Sequence, residues 1–177
     1  NYLLITDDDS KTPLHFAAME GHEWPAKFMI RHEQKHHNYV EYEYQLNFEK
    51  KLKPLSQLQK EDKTGFLPIH LGIESGNDHI VKYLLEKMHK ILPEEIFHKM
   101  LDKKLSEGGY NAICLAAKND LDHLKMLFED YKANVNVTNN DGNNILMIAA
   151  EENEPVIVNY ILQNENVEIN INDVNMH

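Results

Sequence analysis

Apolar and polar positions along the chain fall into a pattern that recurs four times. Each copy opens with a short apolar stretch that ends in small residues, as in Leu14–Ala18 and Ile145–Ala150. A second apolar run at helical spacing follows, for which residues 80–85 are the clearest example. The copies begin near residues 12, 67, 111 and 144, so the starts are 55, 44 and 33 residues apart. The pattern therefore predicts four pairs of short helices, with extra residues between the first three pairs.

The local sequence favours the same helix boundaries. Pro13 suits the first turn of a helix, where its missing N–H has no partner to lose, and Thr12 is a typical capping residue before it. Gly65, Gly109 and Gly142 end the connecting segments, where a positive φ is easiest for glycine. Each helix pair is too small to bury its own apolar face, so the pairs are expected to stack.

The repeated segments resemble the ankyrin-repeat family. Residues 12–17 spell the T-P-L-H-x-A signature, residues 76–85 resemble the second-helix stretch, and the shortest spacing equals the family period of about 33 residues. The resemblance implies one domain over residues 1–177, an all-α solenoid of helix-turn-helix repeats with β-hairpin fingers and two inter-repeat insertions. The predicted repeats are about 7–38, 62–88, 106–134 and 139–166, and the insertions are about 34–56 and 89–104. Both chain ends fall inside a finger and neither shows a polar cap, so we expect a piece of a longer protein.

The first insertion carries an alternating pattern. Apolar positions at 40, 42, 44, 46 and 48 are separated by polar ones, which favours a strand or extended ribbon. A helical continuation of the preceding outer helix is the alternative. The apolar face would either pack on the stack or form a flap that binds a partner.

The second insertion predicts a short extra helix. Pro93 followed by Glu94 and Glu95 is typical of a helix start, because acidic side chains are favourable at that end. The apolar stripe over residues 96–101 is expected to belong to the core.

Composition and charge narrow the class of partner. The chain has 18 Lys and Arg against 29 Asp and Glu, a formal net charge of −11, which argues against nucleic acid or an anionic membrane as the main partner. The single cysteine, Cys114, excludes an intrachain disulfide and favours a reducing compartment. No apolar run approaches the roughly 18 residues that a membrane span needs.

One literal catalytic motif is present. His32, Glu33 and His36 spell H-E-x-x-H, the pattern of zinc hydrolases. We regard a zinc hydrolase as a remote alternative, because the motif lies at the polar end of an outer helix and has no evident third ligand. No metal site and no cofactor are predicted. His15 and His70 stand at signature positions and are expected to be structural, and Cys114, in the equivalent place, is expected to be buried and inert.

The resemblance implies that a partner binds the finger tips and the exposed ends of the inner helices. Phe66 and Tyr110 occupy equivalent places and are the expected aromatic anchors, unless they pack on the neighbouring insertions. Eight acidic residues against three lysines predict a partner protein with a basic surface. The predicted partner-binding residues are Asp8, Asp9, Lys11, Met19, Glu20, Lys63, Thr64, Phe66, Glu74, Ser75, Glu107, Tyr110, Lys118, Asn119, Asn140, Asp141, Asn143, Glu151 and Glu152.

The sequence therefore predicts a protein–protein interaction module without catalysis of its own. The alternative is a targeting module of a multidomain enzyme or secreted effector whose catalytic domain lies outside this sequence. A cytoplasmic location is expected, which would be the host cytosol if the protein is a secreted bacterial effector.

Overall fold

The computed structural model describes residues 4–44, 57–164 and 167, with the backbone alone over residues 36–44. Its helices follow the predicted pairing, in which a short inner helix is followed by an outer helix. The helices are α1 (Pro13–Met19), α2 (Glu23–Tyr44), α3 (Pro68–Glu74), α4 (Asp78–Ile91), α5 (Glu94–Leu101), α6 (Ala112–Asn119), α7 (Leu121–Lys125, continued by a π-helical turn Met126–Asp130), α8 (Ile145–Glu151) and α9 (Pro155–Gln163).

The helix pairs stack in chain order. The inner helix α1 packs on α3, α3 packs on α6 and α6 packs on α8, while each outer helix packs beside its own inner helix. One core of buried apolar side chains runs through all four pairs, from Leu14 in the first to Ile161 in the last. This arrangement confirms the predicted all-α repeat solenoid.

Small residues on the inner helices allow this close stacking. Ala17, Ala18, Ala116 and Ala117 are buried between neighbouring pairs. A Cβ added to Gly72 would lie 3.1 Å from Cγ2 of Val81, which is tighter than an ordinary contact. Small side chains thus let the inner helices pack closely on their neighbours, and Gly72 does so against the outer helix of its own repeat.

The fingers, which are the connecting segments that precede each inner helix, differ from the predicted β-hairpins. The described residues contain no strand, and the only pairing of that kind is an isolated antiparallel bridge between Thr138 and Asn144. The fingers are tight turns, closed for example by the Asp62 N–H donating to the Phe66 carbonyl at 3.0 Å. Gly65, Gly109 and Gly142 have the expected positive φ, and Ser10 takes this conformation in the first finger.

The alternating pattern of the first insertion does not form a strand over its first part. Helix α2 continues to Tyr44, so the strand prediction is wrong for residues 40–44 and the helical alternative holds there. Residues 45–56 lie outside the described part of the chain. Even α2, with 22 residues, is not apolar enough to cross a membrane, and the same holds for every other described helix.

The second insertion forms the predicted extra helix. Helix α5 begins at Glu94, directly after Pro93, and its first turn carries both glutamates. Phe97, Met100 and Leu101 are buried in the common core, which confirms that the stripe is part of the packing.

Candidate functional site

An acidic or amide side chain organises three of the four fingers. In the second finger, Oδ1 of Asp62 accepts hydrogen bonds from the backbone N–H groups of Thr64 and Phe66, each at 2.9 Å. The side chains of Asp7 and Asn139 accept the corresponding pairs of N–H groups in the first and fourth fingers. Such side chains mimic a backbone turn, so they fix each finger without a strand ladder.

Main-chain hydrogen bonds join each finger to the next. The Lys63 N–H donates to the Asp9 carbonyl at 2.9 Å, the Ser106 N–H to the Thr64 carbonyl at 3.2 Å, and the Asn140 N–H to the Gly108 carbonyl at 2.9 Å. The four finger tips therefore form a continuous row. The predicted binding residues on the tips are held beside one another by this row.

His15 braces the base of this row. Its Nδ1 accepts the Thr12 backbone N–H at 3.0 Å, and its Nε2 donates to the Phe66 carbonyl of the next finger at 3.0 Å. Burial lowers the pKa of His15 against the raising effect of the Phe66 carbonyl. Its polar contacts are therefore those of a structural residue that joins two repeats.

The equivalent positions in later repeats are also structural. His70 accepts the Leu67 N–H at Nδ1 (3.2 Å), and burial lowers its pKa to about 3. Cys114 is fully buried, which confirms the predicted burial, and burial raises the pKa of its thiol to about 11. Asn111 caps that helix, since its Oδ1 accepts the Cys114 N–H at 3.1 Å.

The predicted partner-binding residues divide into an exposed set and a half-buried set. The exposed residues are Asp8, Asp9, Glu20, Lys63, Thr64, Glu74, Ser75, Glu107, Asn119, Asn140, Asp141, Glu151 and Glu152. The half-buried residues are Lys11, Met19, Phe66, Tyr110, Lys118 and Asn143. The stack brings the first set to the finger tips and the ends of the inner helices.

The two expected aromatic anchors are not fully exposed. Phe66 packs partly against the core, with its ring edge-on to that of His70 at 6.3 Å between centroids. Tyr110 also packs partly against the core, and the Lys118 ammonium lies 4.9 Å from its ring centroid. Part of each ring therefore serves the stack itself.

Two of the three lysines among the predicted binding residues form ion pairs with acidic side chains of the protein itself. Nζ of Lys11 lies 3.5 Å from the buried carboxylate of Asp62, and Nζ of Lys118 lies 3.4 Å from the Glu152 carboxylate. Lys63 is exposed at the tip of the second finger. The local charge is therefore negative, with its positive groups partly neutralised within the surface.

The residues of the H-E-x-x-H motif have different surroundings. His32 is exposed and its ring lies 6.3 Å from that of Phe28, whereas Glu33 is buried and accepts a hydrogen bond from Nε2 of Gln57 at 3.0 Å. The side chain of His36 lies outside the described part of the chain. The zinc-hydrolase alternative is left as a remote hypothesis.

Sequence reasoning missed a contact that recurs between outer helices. The Lys27 ammonium lies 5.4 Å from the ring centroid of Tyr83 in the next repeat, and Lys125 lies 5.4 Å from that of Tyr160. Lys27 and Lys125 occupy equivalent positions in their repeats, and so do Tyr83 and Tyr160. An alignment of the four copies could therefore have revealed this lysine–tyrosine contact. Phe28 occupies the tyrosine register in the first repeat and is 57% exposed, against 7% for Tyr83.

Sequence reasoning also missed a charged cluster at the junction of the second and third repeats. Both ring nitrogens of the fully buried His123 face a carboxylate, one from Asp120 at 2.9 Å and one from Asp78 at 3.3 Å. Burial would raise the pKa of Asp120, but the ring and backbone N–H of His123 outweigh it and lower that pKa. No local motif signals this cluster, because Asp78 comes from a different repeat.

Comparison with known families agrees with the stacked helix pairs. The family model for ankyrin repeats (3 copies) matches residues 1–95 and 90–173, which together cover most of the chain. No curated protein matches the chain. Ankyrin repeats are generally protein-interaction modules and are typically non-catalytic. From the four stacked helix pairs and this match, the chain belongs to the ankyrin-repeat family.

Proposed function

We propose that this protein binds a partner protein with a basic surface through its finger tips and the adjoining ends of its inner helices. The observation that carries the proposal is the row of exposed acids on hydrogen-bonded fingers. The acids stand on backbone that the finger-to-finger hydrogen bonds hold in place, so little ordering is needed on binding. We also propose an intracellular location, in keeping with a single, buried cysteine that has no partner for an intrachain disulfide.

The charge of the surface supports a basic partner. Glu74 and Glu151 are the last residues of α3 and α8, they occupy the same repeat register, and both are exposed. Lys11 and Lys118 are paired with acids of the protein itself, which leaves a negative surface for a partner to meet. Complementary charge speeds association and selects among partners more than it adds affinity.

Charge reversal at these two positions tests the proposal. The double variant Glu74→Lys/Glu151→Lys should reduce partner recovery in a pull-down by about tenfold or more, because it changes the local charge by four units without touching the core. The control Glu86→Lys/Glu95→Lys makes the same change on exposed residues of α4 and α5. Equal recovery with both variants would contradict the proposed surface, and so would a partner whose capture does not weaken as salt is raised.

The half-buried aromatics give a second, independent test. Phe66→Ala/Tyr110→Ala removes the central apolar groups of the surface, but it also removes packing against the core. The single variants Phe66→Leu and Tyr110→Phe retain most of that packing and serve as matched controls. If recovery falls only in the double alanine variant, while its thermal midpoint stays near wild type, the rings contribute to binding.

A further inference from the structure

The two ends of the helical stack expose apolar side chains at positions that are buried in the other helix pairs. Within the described residues, no helix pair precedes α1 or follows α9. The two end pairs can therefore be compared, position by position, with the pairs that have a neighbour on both sides. A position that is exposed at only one end of the stack marks a face that a neighbouring pair would cover.

The inner helix of the first pair exposes a phenylalanine on such a face. The counterparts of Phe16 in the later inner helices are Leu71, Leu115 and Ile148. All three are at most 6% exposed, whereas Phe16 is 41% exposed. The last pair buries Ile148 although no described pair follows it, so this position faces the preceding neighbour.

Phe28 marks the same face on the outer helix of the first pair. At the equivalent position of the second pair, the Lys27 ammonium of the preceding pair lies over the ring of Tyr83. The same contact joins Lys125 to Tyr160. Phe28, by contrast, is mostly exposed. The first pair therefore presents an apolar face that matches the underside of a helix pair of the same type.

The last pair exposes the opposite face. Leu162 on α9 is 60% exposed, whereas its counterparts Ile30 and Leu85 are fully buried. Ala150 on α8 is also exposed, although its counterpart Ala18 is fully buried. The first pair buries Ile30 although no described pair precedes it, so this position faces the following neighbour.

We propose that copies of this chain associate head to tail, with the last pair of one copy stacked on the first pair of the next. The two ends carry the two halves of one interface, which the chain forms three times between its own pairs. Terminal repeats with a polar outer face keep such stacks apart, whereas both ends of this chain are apolar at these positions. Because the contact joins different faces, it can continue beyond a dimer.

The charge of the chain sets how this association depends on salt. Each copy has a formal net charge of −11, so copies repel one another at low ionic strength. Screening of this repulsion should strengthen an apolar contact as salt is raised. The proposed finger-tip contact with a basic partner should weaken under the same change, so the two surfaces can be distinguished.

Sedimentation of the whole chain at concentrations up to about 1 mM tests the proposal. The weight-average mass should rise with concentration above the monomer mass of 20.7 kDa and pass that of a dimer. Phe28→Lys blocks one end and Leu162→Lys blocks the other, so each variant alone should keep the monomer mass. Their equimolar mixture should form a dimer and nothing larger, because one intact face of each kind remains. Recovery in the mixture also shows that both variants are folded.

Val156→Lys is the matched control for Leu162→Lys. Val156 lies on the same helix and is also 60% exposed. Its counterparts Trp24 and His79 are exposed as well, so this position faces solvent and not a neighbouring pair. The control variant should therefore associate as the wild type does.

A variant that strengthens the contact gives the opposite test. Asn159 stands at the position that Lys27 and Lys125 occupy in the first and third pairs. In a head-to-tail stack, Asn159→Lys would place an ammonium over the Phe28 ring of the next copy. Association should tighten by about two- to fivefold in this variant and remain absent when it is combined with Phe28→Lys.

Three results would overturn the proposal. A wild type that keeps the monomer mass at every concentration and at high salt would leave the end faces to a helix pair of a different protein. An equal loss of association in Val156→Lys and Leu162→Lys would attribute the effect to the added charge. Association that Phe28→Lys abolishes and Leu162→Lys retains would indicate a symmetric contact between two first pairs.

Discussion

Replacing Asp62 by alanine should destabilise the protein strongly for a residue in a surface turn. The variant removes the acceptor of two backbone N–H groups, at 2.9 Å each, and of the Thr64 hydroxyl at 2.7 Å. It also removes the partner of Lys11 in the preceding finger, at 3.5 Å. Because the Asp62 side chain is buried, water replaces these contacts poorly. Loss of the hydrogen bond from the Phe66 N–H should lower the free energy of unfolding by about 1–2 kcal/mol, and loss of the other contacts by about 1–2 kcal/mol together. We therefore expect the variant to be less stable by about 2–4 kcal/mol in all.

Two variants, Asp7→Ala and Asp62→Asn, provide matched controls for this effect. Asp7 accepts the same pair of N–H groups in the first finger but is exposed, so Asp7→Ala should cost no more than about 1 kcal/mol. Asp62→Asn keeps the Oδ1 acceptor and should lose about 1 kcal/mol, mainly from the missing charge. Urea denaturation followed by circular dichroism gives all three free energies of unfolding.

The pH dependence checks the same reasoning. Burial alone would raise the pKa of Asp62, but the Thr64 hydroxyl, the two N–H groups and Lys11 lower it below 3.8. Its ionised form therefore contributes stability above about pH 4, and this contribution is lost as pH falls through the folded-state pKa. The difference between wild type and Asp62→Asn should shrink between pH 5 and pH 3. If Asp62→Ala is no less stable than Asp7→Ala, the buried acceptor is not what holds the finger.

Three further predictions concern other repeats. Burial keeps His70 neutral down to about pH 3, whereas the same side chain in the unfolded chain binds a proton near pH 6.5. The free energy of unfolding should therefore fall by about 1.4 kcal/mol per pH unit below pH 6.5. Urea midpoints measured at pH 7, 6 and 5 should fall less for His70→Gln than for the wild type. Ser10→Gly should raise the free energy of unfolding by about 0.5–1 kcal/mol, because Ser10 has φ of 64°, and a lower urea midpoint would contradict this. Cys114 should resist iodoacetamide in the folded state at pH 8 and react in urea, and rapid labelling of folded protein would refute its burial.

The inner helices were predictable because their signals are local. Pro13 sets the start of α1, and the small residues after it leave only close helix packing as a good solution. The core of α5 followed likewise from apolar spacing within eight residues. These features depend on residues that are close together in the sequence, so a periodic pattern of apolar positions is enough to predict them.

The predictions of a strand over residues 40–44 and of β-hairpin fingers failed because other interactions outweigh the local sequence pattern. Residues 40 and 44 alternate with polar positions as in a strand, yet they are also four residues apart, as on one face of a helix. Extending the existing helix α2 costs less than starting a new element, so the helix continues to Tyr44. The fingers lack strands because side-chain acceptors such as Asp62 already close the turns.

The candidate site was predicted in part. The alignment placed the exposed acids at the tips, but the degree of burial of Phe66 and Tyr110 depends on contacts that only the stacked structure defines. The cluster of Asp78 with His123 could not be read from the sequence, because the two residues are 45 positions apart and meet only through the register of the stack.

The hydrogen bonds between neighbouring finger tips join main-chain groups, so these bonds do not depend on which side chains are exposed at the tips. Exposed tip residues other than the turn acceptors Asp7, Asp62 and Asn139 can therefore be exchanged during evolution with little effect on the scaffold. The sequences Asp-Asp-Asp-Ser, Asp-Lys-Thr-Gly and Asn-Asn-Asp-Gly in three of the fingers show how far such variation already extends within one chain. New recognition specificities could thus be selected at the tips by mutation while the helical layers beneath them are conserved.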